Sequence, residues 1–256
     1  MILLSTSSLH LYWLHRIFKF AHKTGFDWLD LDLDKLNYDC WDEDYVKELS
    51  DSFNLPVLSI TAPSIWMDQD KVEKIVKIAL TVWAQIITFS PPHFRDKEIT
   101  WFTKYIIKLK RETHLSIAIQ NVESKFLFFI IPEYKNATLE DIKKFTWDVT
   151  LDLSSIDSSS WFDIIKAYKL LWSKVKNILL SDKIWTKTWL LPGSAGWWVS
   201  FLPIESFFMN LKTSWYNWFI TLKVKPSELW IWVEEKVLYN LNFLLSYYKK
   251  HFLNYK

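Results

Sequence analysis

Charged and polar side chains stand directly after several short apolar runs of the sequence. In chain order these positions are Asp30 and Asp32, Thr61, Ser90 with His93, Gln120 with Asn121, Asp152, Asp182 with Lys183, and Lys223. Carboxylates can move protons to and from a substrate, and a lysine can polarise a carbonyl group or, as the neutral amine, attack it. These are the residue types of a proton-transfer site for a carbonyl compound, provided that the fold brings them together.

The apolar runs alternate with stretches of helical period about eight times. The predicted strands are Ile2–Thr6, Leu29–Leu33, Val57–Thr61, Gln85–Phe89, Leu115–Gln120, Val149–Leu153, Asn177–Leu180 and Phe219–Val224. Most of them are mainly apolar and do not alternate with polar residues, which is typical of parallel strands buried on both faces.

The intervening stretches predict helices with suitable ends, such as Gly25 after the first of them. These helices are Leu11–Thr24, Asp42–Phe53, Asp68–Val82, Asp96–Glu112, Thr138–Phe145, Phe162–Leu171, Pro203–Lys212 and Glu234–Phe252. Eight βα units without a linker predict an α/β protein with one domain over residues 1–256, a single (β/α)₈ or TIM barrel. The alternative is a doubly wound open sheet, although no glycine-rich phosphate motif follows the first strand. In a barrel the polar residues named above would meet at the C-terminal ends of the strands.

Net charge and hydropathy limit the classes of partner that we expect. Lys+Arg number 31 and Asp+Glu 29, a net charge of +2, so we expect no nucleic acid held by bulk charge. Apolar runs are far shorter than the roughly 18 residues of a membrane span, so we expect no membrane partner. A single cysteine, Cys40, fits a reducing compartment, and the N-terminal residues lack the basic start of a signal peptide. We therefore expect a cytoplasmic protein.

The sequence contains 17 tryptophans and only 3 glycines in 256 residues. About 18 glycines would be ordinary for this length. Trp28, Trp197, Trp198 and Trp218 stand in turn-like contexts, and Asn217 before Trp218 is the first half of an Asn-Gly turn signal. We predict that many of the tryptophans are glycines, encoded by UGA in a lineage that reads this codon as glycine. Such positions should be exposed or have positive φ, whereas a genuinely tryptophan-rich sugar-binding protein is the alternative.

The order of several motifs resembles the xylose-isomerase-like barrels, which include sugar isomerases, sugar-phosphate isomerase/epimerases and related apurinic endonucleases. The motifs are GFDWLDL, VLSITAP, IAIQNVES, VTLDLSS, NILLSDK, LLPGSAGWWVS and FITLKVKP. This resemblance implies a sugar or sugar phosphate as substrate. It also implies a divalent metal held by Glu, Asp and His at the strand ends, with paired carboxylates for proton transfer.

Carried over by position, the resemblance keeps carboxylates at Asp30 and Asp152. The other ligand positions have changed: Thr61, Ser90, Ser155 and Leu179 stand where the family has histidine, and Gln120 and Lys223 where it has glutamate. The ammonium of Lys223 would repel a cation. We therefore expect no metal site and no cofactor, with a divalent metal disfavoured.

Two functions remain open at this point. In the first, a sugar isomerase or epimerase uses Asp30, Gln120, Asp152 and Lys223 as catalytic residues. Lys223 would pair with Asp30 and Asp152 and replace the charge of the metal, or form a Schiff base. In the second, the same charges pack into the mouth of a non-catalytic, carbohydrate-binding barrel. Cleavage of damaged DNA is disfavoured, because the metal ligands are missing.

The substrate-binding residues expected in either case lie on the neighbouring loops. The resemblance implies His93, Asn121 and Asp182. The segment from Gly193 to Gly196 has the composition of an anion-binding nest, and Lys183 stands close enough in sequence to assist it.

Overall fold

A computed structural model describes residues 1–33, 38–64, 67–94, 96, 99–123, 126–127, 131–135, 137–144, 147–156, 163–184, 187–193 and 202–253. The strands in chain order are β1 (Ile2–Ser5), β2 (Trp28–Asp32), β3 (Val57–Thr61), β4 (Ile86–Phe89), β5 (Ser116–Gln120), β6 (Phe126–Leu127), β7 (Ile131–Pro132), β8 (Asp148–Asp152), β9 (Val175–Leu180), β10 (Asp182–Ile184), β11 (Lys187–Leu190) and β12 (Phe219–Leu222). Eight of these strands form a closed parallel barrel in the order β1-β12-β9-β8-β5-β4-β3-β2. β6–β7 and β10–β11 are small antiparallel pairs outside it.

The closure confirms the predicted single (β/α)₈ barrel and excludes the open sheet, because β1 pairs in parallel with both β2 and β12. Among the described residues the helices are α1 (Leu14–Thr24), α2 (Glu43–Phe53), α3 (Gln69–Thr81), α4 (Ile99–Glu112), α5 (Leu139–Lys144), α6 (Asp163–Leu171), α7 (Ile204–Thr213) and α8 (Glu234–Tyr248). Their apolar faces and the outward faces of the strands form the main hydrophobic core.

The helix ends explain most of the boundaries. Asp42 caps α2 by accepting a bond from the Tyr45 amide (3.1 Å), and Asp68 caps α3 through the Lys71 amide (2.9 Å). The first helix begins later than predicted, at Leu14. Its amide donates to Oδ2 of Asp39, 2.6 Å away and 25 residues further along the chain, so the sequence around the helix gives no sign of this cap.

The barrel interior changes character along its axis. At the N-terminal end Leu3, Ile86, Ala118 and Phe219 pack together as an apolar plug. Further along, the interior is polar: hydroxyls of Thr88 and Thr150 lie 2.7 Å apart, and Thr221 donates to Asn177 over 2.9 Å. Because side chains two residues apart on a strand share a face, this polar stack continues to the C-terminal ends.

The tryptophans named from the sequence do not behave alike. Trp28 and Trp218 are partly buried, pack against the apolar plug and are not among the residues with positive φ. Trp197 and Trp198 lie outside the described residues. Positive φ occurs instead at four other tryptophans, positions 83, 189, 215 and 230.

In the part of the chain that the structure describes, no helix has the length and apolar character of a membrane span.

Candidate functional site

A cavity of about 720 Å³ opens at the C-terminal ends of the strands. Asp32 from β2, Thr61 from β3, Gln120 from β5 and Lys223 just beyond β12 form part of its wall. Other residues of the wall are Ser7, His10, Ser90, Glu123, Glu133, Tyr134, Ser155, Thr188, Trp189 and Lys225. In (β/α)₈ barrels this is the face that carries active sites, so the cavity is the candidate site.

Lys223 and Asp32 form an ion pair in the wall of this cavity. Nζ of Lys223 lies 2.9 Å from Oδ2 of Asp32, and the two side chains are 8% and 18% exposed. Burial alone would lower the pKa of Lys223, but the carboxylates of Asp32, Asp30 and Asp152 outweigh it and hold this pKa above its ordinary value. Lys223 is therefore an ammonium at neutral pH, partly open to the cavity.

Asp30 lies beneath this pair and does not line the cavity. It accepts bonds from the hydroxyls of Ser5 (2.8 Å) and Thr61 (3.1 Å), and burial raises the pKa of its carboxyl despite the opposing charge of Lys223. Asp30 and Asp152, the expected partners of Lys223, act on it through their charge, whereas the ion pair of Lys223 is with Asp32. Asp32 follows Asp30 on the same face of β2, about 6–7 Å nearer the C-terminal end, where Lys223 lies.

Asp152 is also fully buried, and its carboxylate accepts five hydrogen bonds. The amide and hydroxyl of Ser154 donate to Oδ1 over 3.0 and 2.9 Å. Ser155 Oγ (2.7 Å), Trp189 Nε1 (3.1 Å) and Gln120 Nε2 (3.3 Å) donate to Oδ2. Of the four predicted catalytic residues, Gln120 and Lys223 therefore line the cavity, while Asp30 and Asp152 are held beneath its wall.

Two predicted substrate-binding residues, Asn121 and Lys183, have structural partners instead. Asn121 donates to the Asp152 carbonyl (2.9 Å) and accepts from the Asp152 amide (2.7 Å), which ties β5 to β8. The ammonium of Lys183 donates a hydrogen bond to the Ile156 carbonyl over 3.2 Å. Neither side chain lines the cavity. The sequence could not show these bonds, because each partner lies on a neighbouring strand or loop.

Gly193, the first residue of the predicted anion nest, donates its amide to a carboxylate of the protein itself. Asp182 accepts bonds from the amides of Lys183 (2.8 Å), Leu202 (3.1 Å) and Gly193 (3.2 Å). Burial raises the pKa of Asp182, and these bonds partly oppose that effect. Gly193 is the one residue of the predicted nest that the structure describes, and its amide donates to this internal carboxylate; Gly196 lies outside the described residues.

The wall opposite Lys223 comes from the loop after β5. Tyr134 lines the cavity there, and the buried ring of His93 contacts the Tyr134 ring at 5.6 Å without itself reaching the cavity. Burial raises the pKa of Tyr134. Tyr134 and Glu133 were not predicted as site residues, because no local pattern marks the residues after β7 as part of the cavity wall. His10, which follows a 3₁₀ turn at the end of β1, also lines the cavity.

The fold and the cavity define the chain as a (β/α)₈ barrel with a polar site at the C-terminal end, and its resemblance to the xylose-isomerase-like barrels is confirmed at the level of the fold. The family 2 AP endonuclease of Brucella melitensis superposes with a TM-score of 0.69 at 13% identity, covering 96% of this chain and 98% of that one. A sugar phosphate isomerase/epimerase of Parabacteroides distasonis gives 0.64 at 13%, covering 95% and 94%. A zinc-bound IOLI protein gives 0.65 at 13%, covering 98% and 99%.

Similarity in sequence covers less of the chain than similarity in fold. The chain matches no protein-family model. It is 28% identical over 130 residues to an uncharacterised protein of Mycobacterium leprae. That match covers 46% of this chain and 45% of the relative, so it spans less than half the length of either protein.

The side chains at the cavity do not fit the divalent cation that the fold family implies. Among the described residues, no three His, Cys, Asp or Glu side chains gather as a possible metal site. The ammonium of Lys223 is paired with Asp32 and lies close enough to Asp30 to interact with its charge, and the oxygens of Asp152 accept bonds from donors of the protein. A cation here would meet the positive charges of Lys223 and Lys225 and no gathered set of ligands among the described residues.

Proposed function

We propose that the cavity binds a sugar or sugar phosphate and that the chain catalyses its isomerisation or epimerisation without a resident metal. The observation that carries this proposal is the Lys223–Asp32 ion pair, which is buried enough to be strong and open enough to touch a ligand. A preorganised ammonium in a site of low dielectric stabilises negative charge that develops on a substrate oxygen.

The proposed chemistry requires one base and one cation. Asp32 would take the proton from the carbon next to the substrate carbonyl, while the ammonium of Lys223 stabilises the enediolate oxygen. Return of the proton to the neighbouring carbon, with transfer of the hydroxyl proton to the former carbonyl oxygen, gives the isomer. A proton delivered by a donor on the other face of the same carbon gives the epimer. The raised pKa of Lys223 favours this role over a Schiff base, which needs the neutral amine.

The rest of the wall suits a polyhydroxylated ligand. Thr61, Gln120 and Tyr134 offer hydrogen-bonding groups that can meet sugar hydroxyls. Lys225, two residues after Lys223, adds a second cation that would suit a phosphate group. The cavity volume of about 720 Å³ is within the range of small-molecule sites.

A non-catalytic carbohydrate-binding barrel is the second candidate, and the state of Asp30 and Asp152 favours it. These are the two carboxylates that the resemblance assigns to proton transfer, yet both are buried and bonded to side chains of the barrel. In that case the cavity would bind the same class of ligand, but no bond to hydrogen would break.

Solvent deuterium exchange separates the two candidates. The protein, treated with a chelator, is incubated in D₂O with a panel of aldoses, ketoses and their phosphates, and NMR follows exchange at the carbon next to the carbonyl. We expect exchange that the Lys223→Met and Asp32→Asn variants lose by about 10²–10⁴-fold.

Lys110→Met is the matched control, because it removes a lysine–aspartate ion pair from the other end of the barrel and should leave exchange unchanged. Ligand binding without exchange would support the non-catalytic barrel instead. Absence of both binding and exchange across the panel would contradict either function, and exchange that appears only on adding zinc would contradict the metal-independent mechanism.

A further inference from the structure

Four tryptophans adopt a backbone conformation that side chains other than glycine rarely take. Five non-glycine residues have positive φ in the described part of the chain: Asn54 (49°), Trp83 (60°), Trp189 (59°), Trp215 (56°) and Trp230 (54°). Asparagine is a natural occupant of this left-handed region, whereas a bulky residue there is an outlier. Tryptophan is 17 of 256 residues, so its share of these positions far exceeds its share of the sequence.

The ends of α1 and α2 show which residues this conformation normally selects. After α1, the Gly25 amide donates to His22 (3.1 Å) and the Phe26 amide to Ala21 (3.1 Å). This pair of bonds is the Schellman motif, whose left-handed residue is usually glycine and sometimes asparagine. Asn54 occupies the same position after α2, with Leu55 donating to Ser50 over 2.9 Å.

The ends of α3 and α7 have the same motif with tryptophan in that position. The Trp83 amide donates to Leu80 (3.4 Å), and the next residue, Ala84, donates to Ala79 (2.9 Å). Likewise Trp215 is followed by Tyr216, whose amide donates to Leu211 over 3.0 Å. Four helix ends thus share one backbone geometry, and only the residue type differs.

Burial in the core does not compensate for the strain at these two ends, although the Trp83 ring stacks on His114 with centroids 5.9 Å apart. The Trp83 side chain is 71% exposed and that of Trp215 is 89% exposed, so neither ring is buried in the core. We propose that residues 83, 189, 215 and 230 are glycine in the functional protein, encoded by UGA codons that its cells read as glycine. Trp147 is different, since it is 2% exposed within the core and has no positive φ, and we expect it to be a genuine tryptophan.

Glycine at position 189 would change the wall of the cavity, and this part of the inference rests on the function proposed above. The Trp189 ring lines the cavity, lies 5.4 Å from the Lys223 ammonium and donates to Oδ2 of Asp152. Glycine at 189 removes the ring and one of the five donors on Asp152. The Asp152 carboxylate then gains an open side toward the cavity, next to Lys223, and becomes a second candidate for proton transfer.

Peptide mass spectrometry of the protein from its own cells tests the assignment directly, together with the codons of the gene. We expect glycine and UGA at 83, 189, 215 and 230, with tryptophan and UGG at 147. Tryptophan in the native peptides at the four positions would overturn the proposal, and this readout does not depend on what the cavity binds.

Single variants test the physical argument. W83G and W215G should each raise Tm by about 1–4 °C, because they relieve a left-handed conformation. The matched control is W172G, which removes an exposed tryptophan that is not at positive φ and should not raise Tm. An equal rise in the control would contradict the argument from strain.

The cavity consequence is measured separately, by deuterium exchange into ribose 5-phosphate. W189G should exchange at least several-fold faster than the tryptophan form, while W215G, whose residue is not among those lining the cavity, should not. If W189G raises Tm without faster exchange, the role of Asp152 is wrong and the glycine assignment stands. If W189G exchanges faster but native peptides contain tryptophan at 189, the assignment is wrong.

Discussion

Each end of the barrel carries a lysine–aspartate ion pair, and the two pairs differ in nearly every physical respect. At the C-terminal end, Lys223 and Asp32 are 2.9 Å apart and only 8% and 18% exposed. At the N-terminal end, Lys110 and Asp148 are 3.5 Å apart and 29% and 21% exposed. The same residue types are therefore placed once beside a cavity and once near solvent.

The surroundings explain why only one pair is a candidate for chemistry. Lys223 faces Asp32 and lies close to Asp30, so several carboxylates share one buried cation. Asp148 has a second donor, Ser116 Oγ at 2.7 Å, and lies outside the cavity. In these barrels the N-terminal face serves stability and the C-terminal face serves activity, and the two pairs follow that division.

The largest expected effect on stability comes from removing the buried cation. Lys223→Met should lower the free energy of unfolding by about 3–5 kcal/mol, because it leaves buried carboxylates without their counter-charge. Lys110→Met should cost no more than about 1 kcal/mol, as is usual for a solvent-accessible pair. Urea denaturation of both variants measures the difference, and equal losses would remove the distinction between the two ends.

A smaller effect is expected from the two aspartates of β8. Asp152→Asn should cost about 1–3 kcal/mol, because the amide group cannot accept all the bonds that the carboxylate receives and leaves buried donors unpaired. Asp148→Asn is the matched control on the same strand and should stay below about 1 kcal/mol. Thermal unfolding compares the pair, and an unaffected Asp152→Asn would mean that its five bonds add little to stability.

Much of the fold could be predicted because its signal is local. Buried parallel strands are short apolar runs, so the predicted Leu29–Leu33 and the observed Trp28–Asp32 differ by one residue at each end. The general rule for barrels then placed Gln120 and Lys223 at the correct end. The positions of the strands and the end of the barrel at which these residues lie follow from chain order and burial alone.

The pairing inside the site could not be predicted, since it depends on register and on loops. Asp30 and Asp32 are equivalent in the sequence pattern, and only the closed barrel shows which of them reaches Lys223. The segment from Gly193 has the composition of an anion-binding nest, but the Gly193 amide donates to the carboxylate of Asp182, a partner that composition cannot reveal. Tyr134 lines the site from the segment after β7, and no pattern in the local sequence marks it as a cavity residue.

The smallest expected effect is a pH dependence that belongs to the C-terminal end. The pKa of Asp30 is raised in the folded protein by burial, so the fold holds this proton more tightly than the unfolded chain does. The stabilising contribution of Asp30 is therefore fully present below the pKa of the unfolded chain, about 4, and is lost as pH rises through the folded pKa. Asp30→Asn should remove this decline, so the stability difference between variant and parent should shift in favour of the variant as pH rises above about 4. Chemical denaturation across that range, with Lys110→Met as a control that keeps the parent's slope, measures it. A stability difference that stays constant with pH would show that burial does not raise the pKa of Asp30.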